Sequence, residues 1–457
     1  MNRACEVPTE VLGIIFHLLC DDPINIAPQH DESDGGFPWA VGRVCRHWRS
    51  GFISYPQIWT SISFQDFSIR KSESDEASRR LSILLERSGA LPLDIVFSLC
   101  KDASRPALGL ILACSHRWRT VVIRLYGEQL MDELTSCKGK MPILESLNFS
   151  ARCLSLEHFS EFDYVDDSRD IDSDRYDVFE ILPQLKSVKF QYESAIRRWV
   201  LPWSQLNKLE IIMTTLFDVP TILQELRNIE ELLIDFGGDE ESTTEDLGLF
   251  DGFSVRLERM RVLQVPFPMI LPWIIAPLLH ELRLGDPHNW FDMPLHYGEE
   301  LLSFIHRSGP SCQIRRLVLR GDEIVTAEDI ISTLADVEEL HICTQEHHIY
   351  SSKYVYSVLA KLTNLGEHSY LPALRRLTIT FIPEKTVPTL VKKVSSLLKS
   401  RSASTSAVTV VPLEGLIIWI FQSAFSEAEA ELPIELVKAK RKWPTFVEVG
   451  FRRRTWY

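Results

Sequence analysis

Few side chains in this sequence are spaced for chemistry. Asp170, Asp172 and Asp174 imitate the opening of a calcium-binding loop. Such a loop needs a glycine at its sixth position for the sharp turn and a glutamate at its twelfth to complete the oxygen shell. Here those places hold Arg175 and Ile181, so the stretch reads as a solvated acidic loop. His341, Cys343, His347 and His348 carry metal-donor atoms, but they divide between a strand-like and a polar segment and match no standard ligand spacing. The nine cysteines are scattered without a CxxC pair. That fits neither a disulfide framework nor a zinc motif, and suits the reducing interior of a cell. The GxGxxG, Walker, HExxH and GxSxG patterns are all missing. The expectation is a chain without metal, cofactor or catalytic centre.

Composition sets the class. At 457 residues, 45% hydrophobic and 25% charged, the chain has globular composition and room for about two or three domains. Its formal charge of −14 argues against a general nucleic-acid binder. Most of that charge lies in two windows, nine acids against two arginines in 160–180 and six acids with no base in 235–246. Like charges packed so closely repel and bury little, so both windows read as solvated loops. The segment 438–457 is the reverse, a basic tail with seven Lys or Arg against one Glu. The longest uncharged run, Leu263 to Leu279, is broken by four prolines and is too short for a bilayer. Val11 to Cys20 is apolar enough for a signal-peptide core, but Glu6 and Glu10 precede it and no small-residue cleavage site follows. A soluble protein of the cytoplasm or nucleus is expected, with neither membrane nor nucleic acid as partner.

The elements able to position side chains for binding begin at the N-terminus. Pro8-Thr9-Glu10 starts a helix well, because proline is tolerated in the first turn and an acid favours the positive end of the dipole. Leu12, Ile15, Phe16 and Leu19 then fall at i, i+3, i+4 and i+7, and Val11, Ile14 and Leu18 make a second stripe beside them. A helix apolar over so much of its girth must be covered on more than one side. The spacing returns at Val41, Val44, Cys45 and Trp48, predicting a second helix. Tyr55 to Trp59 predicts a short third segment with Trp59 as an apolar anchor. So much apolar surface in a small module either docks on a partner or packs on the rest of the chain.

These residues resemble an F-box. The order Pro8-x-Glu10-Val11-Leu12-x-x-Ile15-Phe16-x-x-Leu19, then Val44-Cys45-Arg46-x-Trp48-Arg49, then Pro56-x-Ile58-Trp59, is similar to that motif over residues 6–62. Val7 takes the place of the usual leucine, and the first loop is longer than in the compact motif, as in expanded fungal F-box families. The resemblance implies a helical module that docks on the Skp-type adaptor of a cullin-based ubiquitin ligase. Carried across position by position, it marks Pro8, Leu12, Ile15, Phe16, Leu19, Val44, Cys45 and Trp48 as adaptor-facing or module-core residues, without saying which are which.

Further on, a unit L-x-x-L-x-L recurs. It is read at Leu144/Leu147/Phe149, Leu185/Val188/Phe190, Leu206/Leu209/Ile211, Ile229/Leu232/Ile234 and Met260/Leu263/Val265. It returns at Leu279/Leu282/Leu284, Ile314/Leu317/Leu319, Val337/Leu340/Ile342, Leu374/Leu377/Ile379 and Leu413/Leu416/Ile418. Intervals of 19 to 41 residues separate successive units; the short ones match a leucine-rich repeat and the long ones leave room for an inserted helix or loop. No single unit can bury its alternating face alone, whereas stacked parallel strands bury all of them together. The usual Asn or Cys beyond each unit is missing throughout, so irregular repeats are expected. Leu93 to Phe97 and Trp118 to Leu125 predict two further strands around a helix at 103–114, and Ala77, Leu81, Leu84 and Leu85 trace a linker helix.

The expected architecture is α/β: a helical F-box-like module (1–62), a linker helix (63–90), an irregular leucine-rich-repeat solenoid with parallel strands (91–437) and a basic tail (438–457). In such a solenoid the middle residue of each L-x-L points away from the buried face. Asn148, Lys189, Glu210, Leu233, Gln264, Arg283, Val318, His341, Thr378 and Ile417 would then present a surface to a protein substrate, or a neutral surface covered by loops. The resemblance implies a non-catalytic substrate receptor, which raises the effective concentration of a substrate lysine near a thioester held by another enzyme. The rival reading is a leucine-rich-repeat scaffold or inhibitor whose N-terminal helices merely cap the array.

Overall fold

The computed structural model describes residues 7–19, 23–26, 41–65, 74–99, 105–125, 133–151, 175–193, 196–213, 218–236, 252–285, 298–320, 330–332, 334–343, 351–363, 370–381, 387–402, 411–422 and 447–453. Asp170, Asp172 and Asp174, His347 and His348, and the tail residues Lys438, Lys440, Arg441, Lys442 and Arg454 lie outside them. The fold is α/β, dominated by a large parallel sheet. Two compact units, Met1–Leu209 and Glu210–Tyr457, are taken in turn.

In the first unit, α1 (Thr9–Leu18), the two-residue β1 (Ile24–Asn25), a 3-10 turn at Val41–Arg43, α2 (Arg46–Ile53) and a second 3-10 turn at Pro56–Trp59 precede β2 (Ser61–Gln65). Then come α3 (Ser74–Arg87), β3 (Leu93–Leu99), α4 (Arg105–Ala113), β4 (Trp118–Leu125), β5 (Ser146–Ala151) and β6 (Ser187–Glu193). Each strand pairs in parallel with the next. The sheet starts further forward than the first L-x-x-L-x-L unit. Ile62 and Phe64 of β2 are buried in register with Ile95 and Phe97 of β3.

The division between units falls inside β7 (Lys208–Met213). The second unit continues with α5 (Val219–Glu225), β8 (Glu231–Phe236), β9 (Val255–Arg256), β10 (Val262–Val265), β11 (Ile274–Ile275) and β12 (Glu281–Leu284). It is completed by α6 (Gly298–Ser308), β13 (Arg316–Arg320), β14 (Glu339–Cys343), α7 (Ser351–Thr363), β15 (Arg376–Phe381), α8 (Val387–Ser402), β16 (Gly415–Gln422) and β17 (Val447–Arg453). The short β9 and β11 pair with each other, and the remaining strands from β8 to β17 pair in parallel.

The apolar positions of all ten L-x-x-L-x-L units are buried, none more than 8% exposed. They also align: Leu263, Leu282, Leu317, Leu340, Leu377 and Leu416 form one cross-strand row. Each unit thus hides its apolar face against the next, as a period of two with parallel pairing requires. The entry to the strands is tied by main chain as well as by side chains. The Arg315 carbonyl accepts from the N–H groups of Glu338 and Glu339 at 2.8 and 2.9 Å, and the Glu338 carbonyl from Arg375 and Arg376 at 2.7 and 3.0 Å. The Glu145 carbonyl does the same for Lys186 and Ser187 in the first unit.

Arg401 and two thiols give direct tests of this packing. Arg401, 3% exposed near the end of α8, donates to the carbonyls of Tyr370, Leu371, Leu374 and Leu362 at 2.9 to 3.5 Å. Burial lowers its pKa only to about 10, so it remains a cation at neutral pH. Arg401→Met leaves those carbonyls without their donor and is expected to cost about 2–4 kcal/mol in urea unfolding. Burial also pushes the Cys114 and Cys312 thiols up to about 11. Both should resist iodoacetamide at pH 8 in the folded chain and react once denaturant is added, as mass spectrometry would show.

Candidate functional site

The first helix divides its apolar residues between two faces. Leu12 and Phe16 are wholly buried. Phe16 meets Trp48 and Phe52 edge-on, with centroids 5.8 and 5.5 Å away, and Phe52 meets Trp59 at 4.6 Å. Gly13 lets the helix lie close, since a Cβ there would come within 2.9 Å of the Tyr55 ring. The opposite face is open: Val11 is 44% exposed, Ile14 61% and Leu18 68%, and Leu19, just past the helix end on the Leu12 side, is 50% exposed. Pro8 is exposed and Ile15 half-buried. Of the residues the motif marked, Leu12 and Phe16 therefore belong to the interior, and the stripe available to a partner is Val11, Ile14 and Leu18, with Leu19 exposed at the helix end.

The expected second helix is interrupted. Val41–Arg43 forms a 3-10 turn, and Cys45 is extended at φ −162° as the N-cap of α2, its Sγ accepting from the Trp48 N–H at 3.5 Å. A side chain that accepts from the third residue on starts a helix at the residue after it, so α2 begins at Arg46 instead of Val41. Val44 consequently points outward, 48% exposed, while Cys45 and Trp48 are half-buried. His47 Nε2 donates to the Val7 carbonyl at 2.8 Å and ties α2 to the approach to α1. Arg87 at the end of α3 lies over the Trp59 ring, 4.6 Å from its centroid. Burial and the neighbouring Arg49 lower the Arg87 pKa. Arg43, Arg46 and Arg49 are exposed and give this end a basic rim.

The middle residues of the L-x-L units do come together. Leu233, Gln264, Arg283, Val318, His341, Thr378 and Ile417 form one in-register row across β8 to β16, and Asn148 and Lys189 form the equivalent pair on β5 and β6. Exposure does not follow the expectation throughout. Leu233, Gln264 and Val318 are buried at 7%, 5% and 6%, while Asn148, Lys189, Glu210, Arg283, His341, Thr378 and Ile417 are half-buried.

The second unit spends its polar groups internally. Asp235, expected in a solvated acidic loop, instead ends β8 at 8% exposure. Its Oδ1 accepts from Gln264 Nε2 at 2.7 Å and Arg320 Nη1 at 3.0 Å. Gly285 makes room beside Arg320, for at φ +98° any Cβ would stand 2.0 Å from the Arg320 carbonyl oxygen. One row toward the strand starts, Glu281, Arg316, Glu339 and Arg376 alternate in charge across four strands, with ion pairs at 3.4, 3.8 and 2.6 Å. His341 Nε2 lies 2.9 Å from Thr380 Oγ1.

Among the described residues, no three His, Cys, Asp or Glu side chains gather as a metal site. His341 and Cys343 sit together on β14, and their former company of His347 and His348 lies outside the described residues. An open depression of about 550 Å³ beside α4 is lined by Leu112, His116, Ser136, Lys140 and Pro142 among others, with no carboxylate among its walls. No described helix is long and apolar enough to cross a membrane. Compared with models of known protein families and with curated proteins, the chain matches none.

Proposed function

We propose that this chain is a non-catalytic substrate receptor of a Skp-cullin-F-box ubiquitin ligase. The observation that carries the reading is α1: an exposed stripe of Val11, Ile14 and Leu18, set on a helix whose other face is fixed by the Phe16–Phe52–Trp59 ring cluster. Rigid apolar stripes left open on a helix mark a partner surface. The F-box-like order of residues 6–62 names the partner as a Skp-type adaptor and, through it, a cullin. The ten units beyond it are read as an irregular leucine-rich-repeat solenoid that holds a protein substrate in the cytoplasm or nucleus. The test is light scattering on the full chain mixed with a Skp-type adaptor. A one-to-one complex is expected, and two separate species would overturn the reading.

A second reading is favoured by Arg87 stacked over Trp59, which joins the helices to the array. There the helices are a cap on a leucine-rich-repeat scaffold or inhibitor. In that case a chain lacking residues 1–59 precipitates through exposed core, and the full chain ignores the adaptor.

A further inference from the structure

The two units treat their outer strands differently. In the first unit, β1 lies along β2: Ile24 pairs with Ile62, Asn25 with Ser63, and the Ile26 N–H donates to the Ser63 carbonyl at 3.0 Å. In the second unit, β12 to β16 each have a strand on both sides. β17 pairs with β16 over seven residues, from Val447 beside Leu416 to Arg453 beside Gln422, and with no other strand among the described residues. An edge of that length offers a row of main-chain donors and acceptors to a further strand.

Native sheets blunt such an edge with a short strand, a proline, a bulge or charge. β17 is seven residues long, contains no proline and keeps one register with β16 throughout. Its register also carries the apolar row onward, for Val447 and Val449 take the places next to Leu416 and Ile418, both wholly buried. Charge is the remaining device, and here its order is symmetric. Glu448 and Arg452 stand two places before and two places after Gly450.

Two copies of one strand related by a two-fold axis run antiparallel, so that if residue i faces j, then j faces i. The register that pairs all seven residues puts Gly450 on the axis. Glu448 of each copy is then placed opposite Arg452 of the other, and Val449 opposite Phe451, while glycine leaves no pair of identical side chains to meet at the centre. Residues directly opposite in an antiparallel pair share a face, so Val449 and Phe451 continue the apolar row across the axis and both charge pairs take the other face. We propose that the outer edge of β17 is a self-association surface, on which a second copy of this chain pairs antiparallel through its own β17 about Gly450. A foreign strand could match the main chain, but only a copy carries the acid and the base at the complementary places. The inference goes beyond the receptor reading and does not rest on it.

The test is sedimentation velocity of the full chain over a concentration series, without adaptor. One strand pair makes a small interface, so a reversible, concentration-dependent dimer is expected. Glu448→Arg sets arginine against arginine twice, and Arg452→Glu sets acid against acid; each should weaken the dimer about tenfold or more. Both changes in one chain should restore it, and the two single variants mixed together should form a mixed dimer. If circular dichroism shows a single variant misfolded, Glu448→Gln and Arg452→Gln replace it, each with a several-fold loss. A parent monomeric at every concentration, folded single variants that dimerise like the parent, or a folded double exchange that stays monomeric would each overturn the proposal. A monomeric parent that binds the adaptor would sink this proposal alone, and a dimer that ignores the adaptor would sink the receptor reading alone.

Discussion

Phe16→Ala should lower the stability of the N-terminal unit by about 3–5 kcal/mol, while Ile14→Asp, two positions earlier, changes it by no more than about 0.5 kcal/mol. Phe16 has no exposed surface and sits against Trp48 and Phe52, so truncation opens a cavity that the ring cluster cannot refill. Ile14 is 61% exposed on the other side of the same helix, and a charge there remains in water. Urea unfolding followed by tryptophan fluorescence separates the two. Comparable losses from both variants would mean that the outer face is covered within this chain, which is the cap reading.

Asp235→Ala should cost about 3 kcal/mol, because Arg320 loses its carboxylate while its own side chain is only 21% exposed. Removing one partner of such a pair leaves an uncompensated cation, which is worse than removing both. Asp235→Ala combined with Arg320→Met should therefore recover much of the stability, with a coupling above about 1 kcal/mol in the double-mutant cycle. Gly285→Ala tests the same corner from the backbone: its Cβ would meet the Arg320 carbonyl oxygen, and a loss of about 2 kcal/mol or more is expected. Additive single effects would show that Asp235 and Arg320 act separately.

The repeating strands were legible because burial in a strand leaves a period of two that any composition must respect. Leu147, Leu282 and Leu377 could be placed on a buried face from spacing alone, and they are there. The two stripes of α1 were equally visible, but spacing is symmetric between them. Only the ring cluster of Trp48, Phe52 and Trp59 decides that Phe16 turns inward and Ile14 outward. The break at Cys45 escaped because an i, i+3, i+4, i+7 count registers apolar side chains and is blind to a thiol that caps. Asp235 escaped for a different reason. A charge window averages over its neighbours, and the partner that makes burial tolerable, Arg320, is 85 residues away in sequence.

Arg124 shows the same limit. Its spacing on β4 reveals that it shares a face with Val122, yet nothing in the sequence tells that Ser98 and Ser150 stand beside it or that no acid does. Cross-strand register supplies both facts, and register in a parallel array follows from connections of unequal length, since successive units stand 19 to 41 residues apart.

The most direct test of the account is a titration of a Skp-type adaptor against the full chain and against a variant with Val11, Ile14 and Leu18 all changed to Asp, both shown by circular dichroism and melting to be folded. The account predicts saturable one-to-one binding by the parent and a loss of at least about a hundredfold in the variant, since three open apolar contacts are replaced by charge. Equal binding by the two would contradict it, and so would a well-folded parent that does not bind.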